Sequence, residues 1–232
     1  MGYLDALHNH ITHDAQWLEW SKITKELSRN HQNPKFNCDH GINHWLSVAK
    51  NAQEFARHVN ADKHTIALAD ATGLLHDCGL ICGDDYHAEH GANISRAFLR
   101  GHRILSSLLD DDDIRTICHA IAQHSNGNEI SSIVDAAVLF ADKIDVTKNR
   151  AVRTDDPITR EVAKIQTVNY TITDKSLTIQ YGVREDFKKD IFFGWEKAYL
   201  GPAKAAEFIG RKLVFIINGE VFNLPISKTT AP

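Results

Sequence analysis

No stretch of this sequence stays apolar for long. The longest uninterrupted runs, such as 136–141, fall far short of the roughly 18 residues that suggest a membrane span. The opening MGYLDALHNHITHD has no basic start followed by an apolar block, so no secretory signal is read. Ala6 stands where N-myristoylation wants Ser or Thr. A dense Lys/Arg block is also missing. With 26 basic against 30 acidic residues the net charge is −4, which argues against broad nucleic-acid or anionic-membrane binding. The four cysteines, Cys38, Cys78, Cys82 and Cys118, form no C-x-x-C pair and are expected to stay reduced as small, semi-buried hydrophobes. Internal repeats and low-complexity segments are lacking. Disorder is excluded by 43% hydrophobic and 24% charged residues, and 232 residues can bury a core without disulfides. The expectation is a cytoplasmic protein.

What is present is helical periodicity, then alternation. Residues 13–152 read as helices in series, a domain spanning 1–152. Trp17, Leu18, Trp20, Ile23 and Leu27 mark a first helix over 14–29. Asn43 is expected to cap a second, with Trp45, Val48, Ala52, Phe55 and Val59 as its stripe. Residues 64–77 form an Ala-rich third helix, with Gly79 as its stop. The polar loop GDDYHAEHG leads to helices over 92–100, 112–124 and 131–146, where acidic or Ser starts suit the helix dipole. Asp110–Asp113 reads as such a solvated start. Beyond 152 a small α+β unit, 153–232, is expected. Strands 168–173 and 176–181 flank Asp174-Lys175, helices cover 187–200 and 202–211, and a second hairpin turns at Asn218-Gly219.

Histidine is the abundant residue: 14, ten of them between His40 and His124. Several polar residues fall where a helical pattern should have stayed apolar. His44 opens the second helix, His76-Asp77 ends an apolar one, His87 follows in a loop, His124 ends another helix, and Asp142 interrupts AAVLFADKI. An unpaired buried carboxylate is expensive, and a metal ion removes that cost. Imidazole with carboxylate suits Fe, Mn, Zn or Ni, whereas an all-oxygen shell suits Mg or Ca. The plain alternative is a buried His-Asp hydrogen-bond network. His119 reads as an ordinary, partly buried histidine, and His8, His10, His13, His31, His58 and His64 as surface residues.

The ordered set His44…His76-Asp77…Asp142, in the contexts HWLSVA, ATGLLHDCG and LFADKID, resembles the four-ligand signature of the HD-domain metal-dependent phosphohydrolase superfamily, over roughly 38–150. His87 in HAEHGA and His124 in AIAQHS are similar to segments of its six-ligand, two-metal members, among them bacterial diadenosine tetraphosphatases and cyclic-dinucleotide phosphodiesterases. The resemblance implies a mainly α fold, an HD-type helical bundle ahead of the α+β unit. It implies two divalent ions, Fe or Mn favoured and Zn, Ni or Mg allowed. His44, His76, Asp77 and Asp142 would hold one, His87 and His124 the other, with Asp77 bridging. It further implies attack of a metal-bridging hydroxide on a small phosphorylated substrate, a nucleotide above all. Lys143 would be the catalytic cation, which could instead pair with Asp145 or another carboxylate. Lys148, Arg150 and His90 would be substrate contacts, Arg103 a weaker one, and His40 a supporting group.

Two departures bear on the substrate. Many members read H-D-x-G-K, but here Leu80 takes the place of the lysine, and the G-Y-P signature of the cyclic-dinucleotide enzymes is absent after His124. A mixed-valent di-iron oxygenase and a non-catalytic nucleotide-sensing module therefore stand as alternatives. The α+β unit could supply Arg184 or Lys188, close over the site, or form a homodimer through an edge strand.

Overall fold

The computed structural model describes residues 2–29, 38–83, 86–152 and 154–224; His31 lies outside them. Helices α1 (Tyr3–Thr12), α2 (Ala15–Arg29), α3 (Ile42–His58) and α4 (Lys63–Leu75) come first, then a 3-10 turn, Cys78–Cys82. They are followed by α5 (His87–Gly101), α6 (Leu105–Leu108), α7 (Asp111–Gln123) and α8 (Ile133–Ile144). After α9 (Pro157–Val162) come strands β1 (Ile165–Ile172) and β2 (Ser176–Val183), helices α10 (Lys189–Gly194) and α11 (Lys197–Phe208), and strands β3 (Lys212–Ile217) and β4 (Glu220–Phe222). The fold is mainly helical with a small C-terminal sheet, as expected.

Helix α4 is the axle. Every residue from Ile66 to Leu75 is buried, which is how a helix that is apolar all round behaves at the centre of a bundle. The run Lys63–Cys82 is apolar and long enough to cross a membrane by length and composition alone, yet it lies mostly inside this fold. Gly73 sets the distance to α3, because a Cβ there would lie 2.5 Å from Ala49 Cα. Asp62, Asp110 and Ser132 cap α4, α7 and α8 with their side chains.

The sheet runs in the order β1-β2-β3-β4, with β2 parallel to β3 through the α10–α11 crossover and the other pairs antiparallel. Asn218 (φ 48°) and Gly219 (φ 88°) turn the β3–β4 hairpin in the left-handed region, as the dipeptide predicts. Leu177, Ile179, Tyr181 and Phe215 from the sheet share one core with Val48 and Phe55 of α3 and Phe140 of α8. Tyr170 ties β1 to α3 by donating to the Asn51 carbonyl at 3.2 Å.

Several local expectations change. A further helix, α1, precedes those expected. Gly41, not Asn43, is the N-cap of α3. Helix α5 starts at His87, so His87 sits on its first turn rather than in a loop. Gly79 does not stop a helix but lies within the 3-10 turn, where α5 leaves no room for a side chain. The break expected at Leu200-Gly201-Pro202 falls instead at Trp195-Glu196. Pro202 lies inside α11 because small residues, Ala198, Gly201 and Ala205, seat that face, with Gly201 against Leu139 and Lys143 of α8. Asp113 is not merely solvated, since it is buried and accepts from His64 Nε2 at 2.6 Å.

His8 and His10 are half-buried, not surface residues. His8 Nδ1 meets the fully buried Asp70 at 3.0 Å, and Gln53 meets the same carboxylate. The hydrogen bond to Asp70 raises the His8 pKa, outweighing burial, which lowers it. A raised imidazole pKa contributes stability that is full below the unfolded-state value, near about 6.5, and is lost as pH climbs through the higher folded value. The Tm deficit of His8→Gln is therefore expected to be larger at about pH 5.5 than at about pH 8.5. Equal deficits at both would show that this pair does not couple to folding.

Candidate metal centre

Helix ends converge on one point. His44 is on the first turn of α3, and His76-Asp77 joins α4 to the 3-10 turn. His87 begins α5, His124 closes α7, and Asp142 lies on the last turn of α8. The structure brings all six together. His44 Nε2 lies 3.4 Å from Asp77 Oδ2, 3.3 Å from Asp142 Oδ1 and 3.1 Å from His76 Nε2. His76 Nε2 is 3.3 Å from Asp77 Oδ2. The other Asp77 oxygen, Oδ1, faces His124 Nε2 at 3.4 Å and His87 Nε2 at 3.9 Å, and those two nitrogens are 3.2 Å apart. Asp77 thus presents one oxygen to each half of the cluster.

The outward nitrogens of three of these rings have clear partners. His76 Nδ1 donates to the Gly73 carbonyl at 2.8 Å and His124 Nδ1 to Ile121 at 2.6 Å. His44 Nδ1 donates to Asp145 Oδ2 at 2.7 Å. Each of these partners only accepts, so Nδ1 carries a ring proton and Nε2 faces inward. Buried ring nitrogens and carboxylate oxygens then crowd one small volume, met only at its edge by Lys143, His40 and Ser125. That arrangement is repulsive unless a cation, proton or metal, sits between them. The donors fit a metal: His44, His76 and Asp142, and likewise His76, Asp77 and His124, each offer atoms within 4.8 Å of one another.

The electrostatics point the same way. Burial opposes the charge on Asp77, but His76, His40 and His124 hold its carboxyl well below the usual range. Burial likewise opposes Asp142, where Lys143, then His44 and His76, win. Burial and Arg150 pull the His44 imidazole down, but hydrogen bonds to Asp142, Asp145 and Asp77 push it up to about 10. Burial, with His87 and His76 close by, drives His124 down to about 4 despite Asp77.

The cations sort differently from the sequence reading. Lys143 Nζ contacts Asp142 Oδ2 at 2.5 Å, at the edge of the cluster, rather than Asp145. Arg150, read as a phosphate contact, is buried and donates to Asp145 Oδ2 at 3.1 Å, abutting His44 Nδ1. Lys148 is exposed, and its amide donates to the Ile165 carbonyl of β1. His90 is exposed on α5. Arg103 lines a groove of about 860 Å³ with Trp20, Ile81 and Phe98 that contains none of the six residues. Arg184 pairs with Asp186, and Lys188 gives its amide to Glu161.

Asp145, Ser47 and Ser125 join the site without having been singled out as part of it, and His40, expected as a supporting group, touches Asp77. His40 Nδ1 lies 2.8 Å from Asp77 Oδ2, and Ser125 Oγ lies 2.9 Å from His87 Nε2. The side chains of His40 and His87, 23% and 17% exposed against nearly nothing for His44 and His76, mark the open rim. Asp145 was legible as the residue three positions beyond Asp142, at the C-cap of its helix.

The HD domain family matches residues 41–164 of this chain. Among solved structures, a predicted HD superfamily hydrolase from an uncultured Thermotogales bacterium is similar at 22% identity. That match covers 56% of this chain and 67% of the other, with a TM-score of 0.39. No curated protein matches.

Proposed function

Because this chain belongs to the HD-domain family, with its match spanning residues 41–164, we propose that it is a metal-dependent phosphohydrolase acting on a small phosphorylated compound, a nucleotide above all. One observation carries the reading: buried imidazole nitrogens and two carboxylates aim at a common volume, and Asp77 turns one oxygen to each half. His44, His76, Asp142 and Asp77 Oδ2 would hold one divalent ion, and His87, His124 and Asp77 Oδ1 a second. Fe or Mn is the favoured ion, and these nitrogen and oxygen ligands also accept Zn or Ni. Such a pair supplies Lewis acidity and lowers the pKa of water, so a nucleophile is available at neutral pH.

The protein's own groups position the substrate. Phosphoryl transfer asks mainly for orientation and charge neutralisation. The Lys143 ammonium stands beside Asp142, and its stem rests against Gly201 of α11, so the C-terminal helix fixes the approach of this cation. His40 and His87 form the rim over which a phosphate enters. The low net charge and the lack of a dense basic block support a cytoplasmic protein without broad nucleic-acid or membrane binding.

Metal content of wild type and His87→Ala, followed by a nucleotide panel with and without O₂, tests the proposal. Near two ions per chain falling towards one in the variant, with O₂-independent phosphate release, is the expected result. Oxygen consumption by the iron-loaded protein would move the chain to the oxygenase reading. A folded, unchelated protein without metal would overturn both.

A further inference from the structure

The imidazoles of the cluster are not held alike. His76 and His124 donate to main-chain carbonyls, whereas His44 donates to a carboxylate, Asp145, which is itself clamped. Ser47 Oγ, one turn along α3 from His44, donates to Asp145 Oδ1 at 2.9 Å. Arg150 Nη1 donates to Asp145 Oδ2 and to the Asp145 carbonyl, each at 3.1 Å. Both side chains are largely buried.

We propose that Asp145, clamped by Ser47 and Arg150, is a positioning residue that makes the His44 subsite the tighter of the two, so that it fills first with a divalent ion. This rests on the metal-dependent reading above. A carboxylate behind an imidazole fixes its tautomer and rotamer, as a carbonyl does, and also makes the inward nitrogen a stronger donor. The two subsites differ in charge in the same sense. The His44 side has Asp142 as well as one oxygen of Asp77, whereas the His87–His124 side has only the other Asp77 oxygen. Arg150 explains how a third carboxylate is tolerated so near Asp77 and Asp142, since a buried charge without a partner is strongly destabilising.

The test is calorimetric titration of the chelator-stripped full chain with Mn²⁺. Wild type is expected to bind in two unequal steps. Asp145→Asn should weaken the tighter step roughly 10–100-fold and leave the weaker one in place. Asp135→Asn, which alters a buried carboxylate holding His119 outside the cluster, should leave both steps unchanged. Ser47→Ala removes one donor to Asp145 without touching Arg150, and should weaken the tighter step severalfold even if Asp145→Asn folds poorly. Two equal steps in wild type would overturn the proposal. So would an unaltered tight step in the variants, or equal weakening of both steps. A wild type that binds no Mn²⁺ would instead remove the metal-dependent reading on which it stands.

Discussion

Asp77→Ala is expected to lose both ions and essentially all turnover, a fall on the order of 10³-fold or more, equivalent to about 4 kcal/mol of barrier. Asp77 turns a separate oxygen to each half of the cluster. Oδ2 lies among His40, His44 and His76, and Oδ1 faces His87 and His124. Removing either flanking imidazole should cost one ion, whereas removing Asp77 takes a ligand from each. The fold should survive, because the carboxylate sits at helix ends and the apolar cores around α3, α4 and α8 do not include it. Metal analysis, phosphate release and far-UV circular dichroism together check this. Retention of one tightly bound ion would show that Asp77 serves a single subsite. Full activity would remove the mechanism.

Gly79→Ala should be the most damaging of the small substitutions. A Cβ at this position would lie 2.0 Å from the His87 carbonyl oxygen and 2.3 Å from the Gly91 amide nitrogen. Both obstacles are backbone, so α5 must move away from the 3-10 turn. Overpacking of this kind costs about 1–3 kcal/mol. Because His87 is the first residue of α5, the same shift should empty the second subsite. The expected result is a lower urea midpoint together with metal content near one ion per chain. Gly101→Ala, at the far end of the same helix with nothing within 4 Å of its Cβ, is the matched control and should not destabilise. Equal behaviour of the two variants would mean that α5 is not seated through Gly79.

Much of the helical part was legible because its signals are local. The stripe Trp45, Val48, Ala52 and Phe55 and the acidic or Ser starts at 110 and 132 depend on 3.6-residue periodicity and capping, which act within a turn or two. The hairpins at Asp174-Lys175 and Asn218-Gly219 were readable for the same reason. The fates of Gly79 and Pro202 were not. A glycine ahead of a polar loop looks like a helix stop, and proline looks like a start. Here the first makes room for α5 and the second rides inside α11, since α11 gains more by packing small residues on α8 than it loses with one hydrogen bond.

The site divides along the same line. Residue type and order alone nominate His44, His76-Asp77, His87, His124 and Asp142, because polar side chains that interrupt apolar helices need partners, and a cation is the partner these share. Which nitrogen of each ring faces inward, which oxygen of Asp77 serves which half, and whether a cation meets substrate or a carboxylate depend on contacts between residues far apart in the chain. Arg150 shows the difference. As sequence it is a basic residue just past Asp142, open to a phosphate; in the folded chain it is buried against Asp145, and its charge stabilises the ligand cluster from behind. Local sequence codes for helices and for where polarity interrupts them, while charge pairing across 101 residues, as between His44 and Asp145, exists only once the helices have packed.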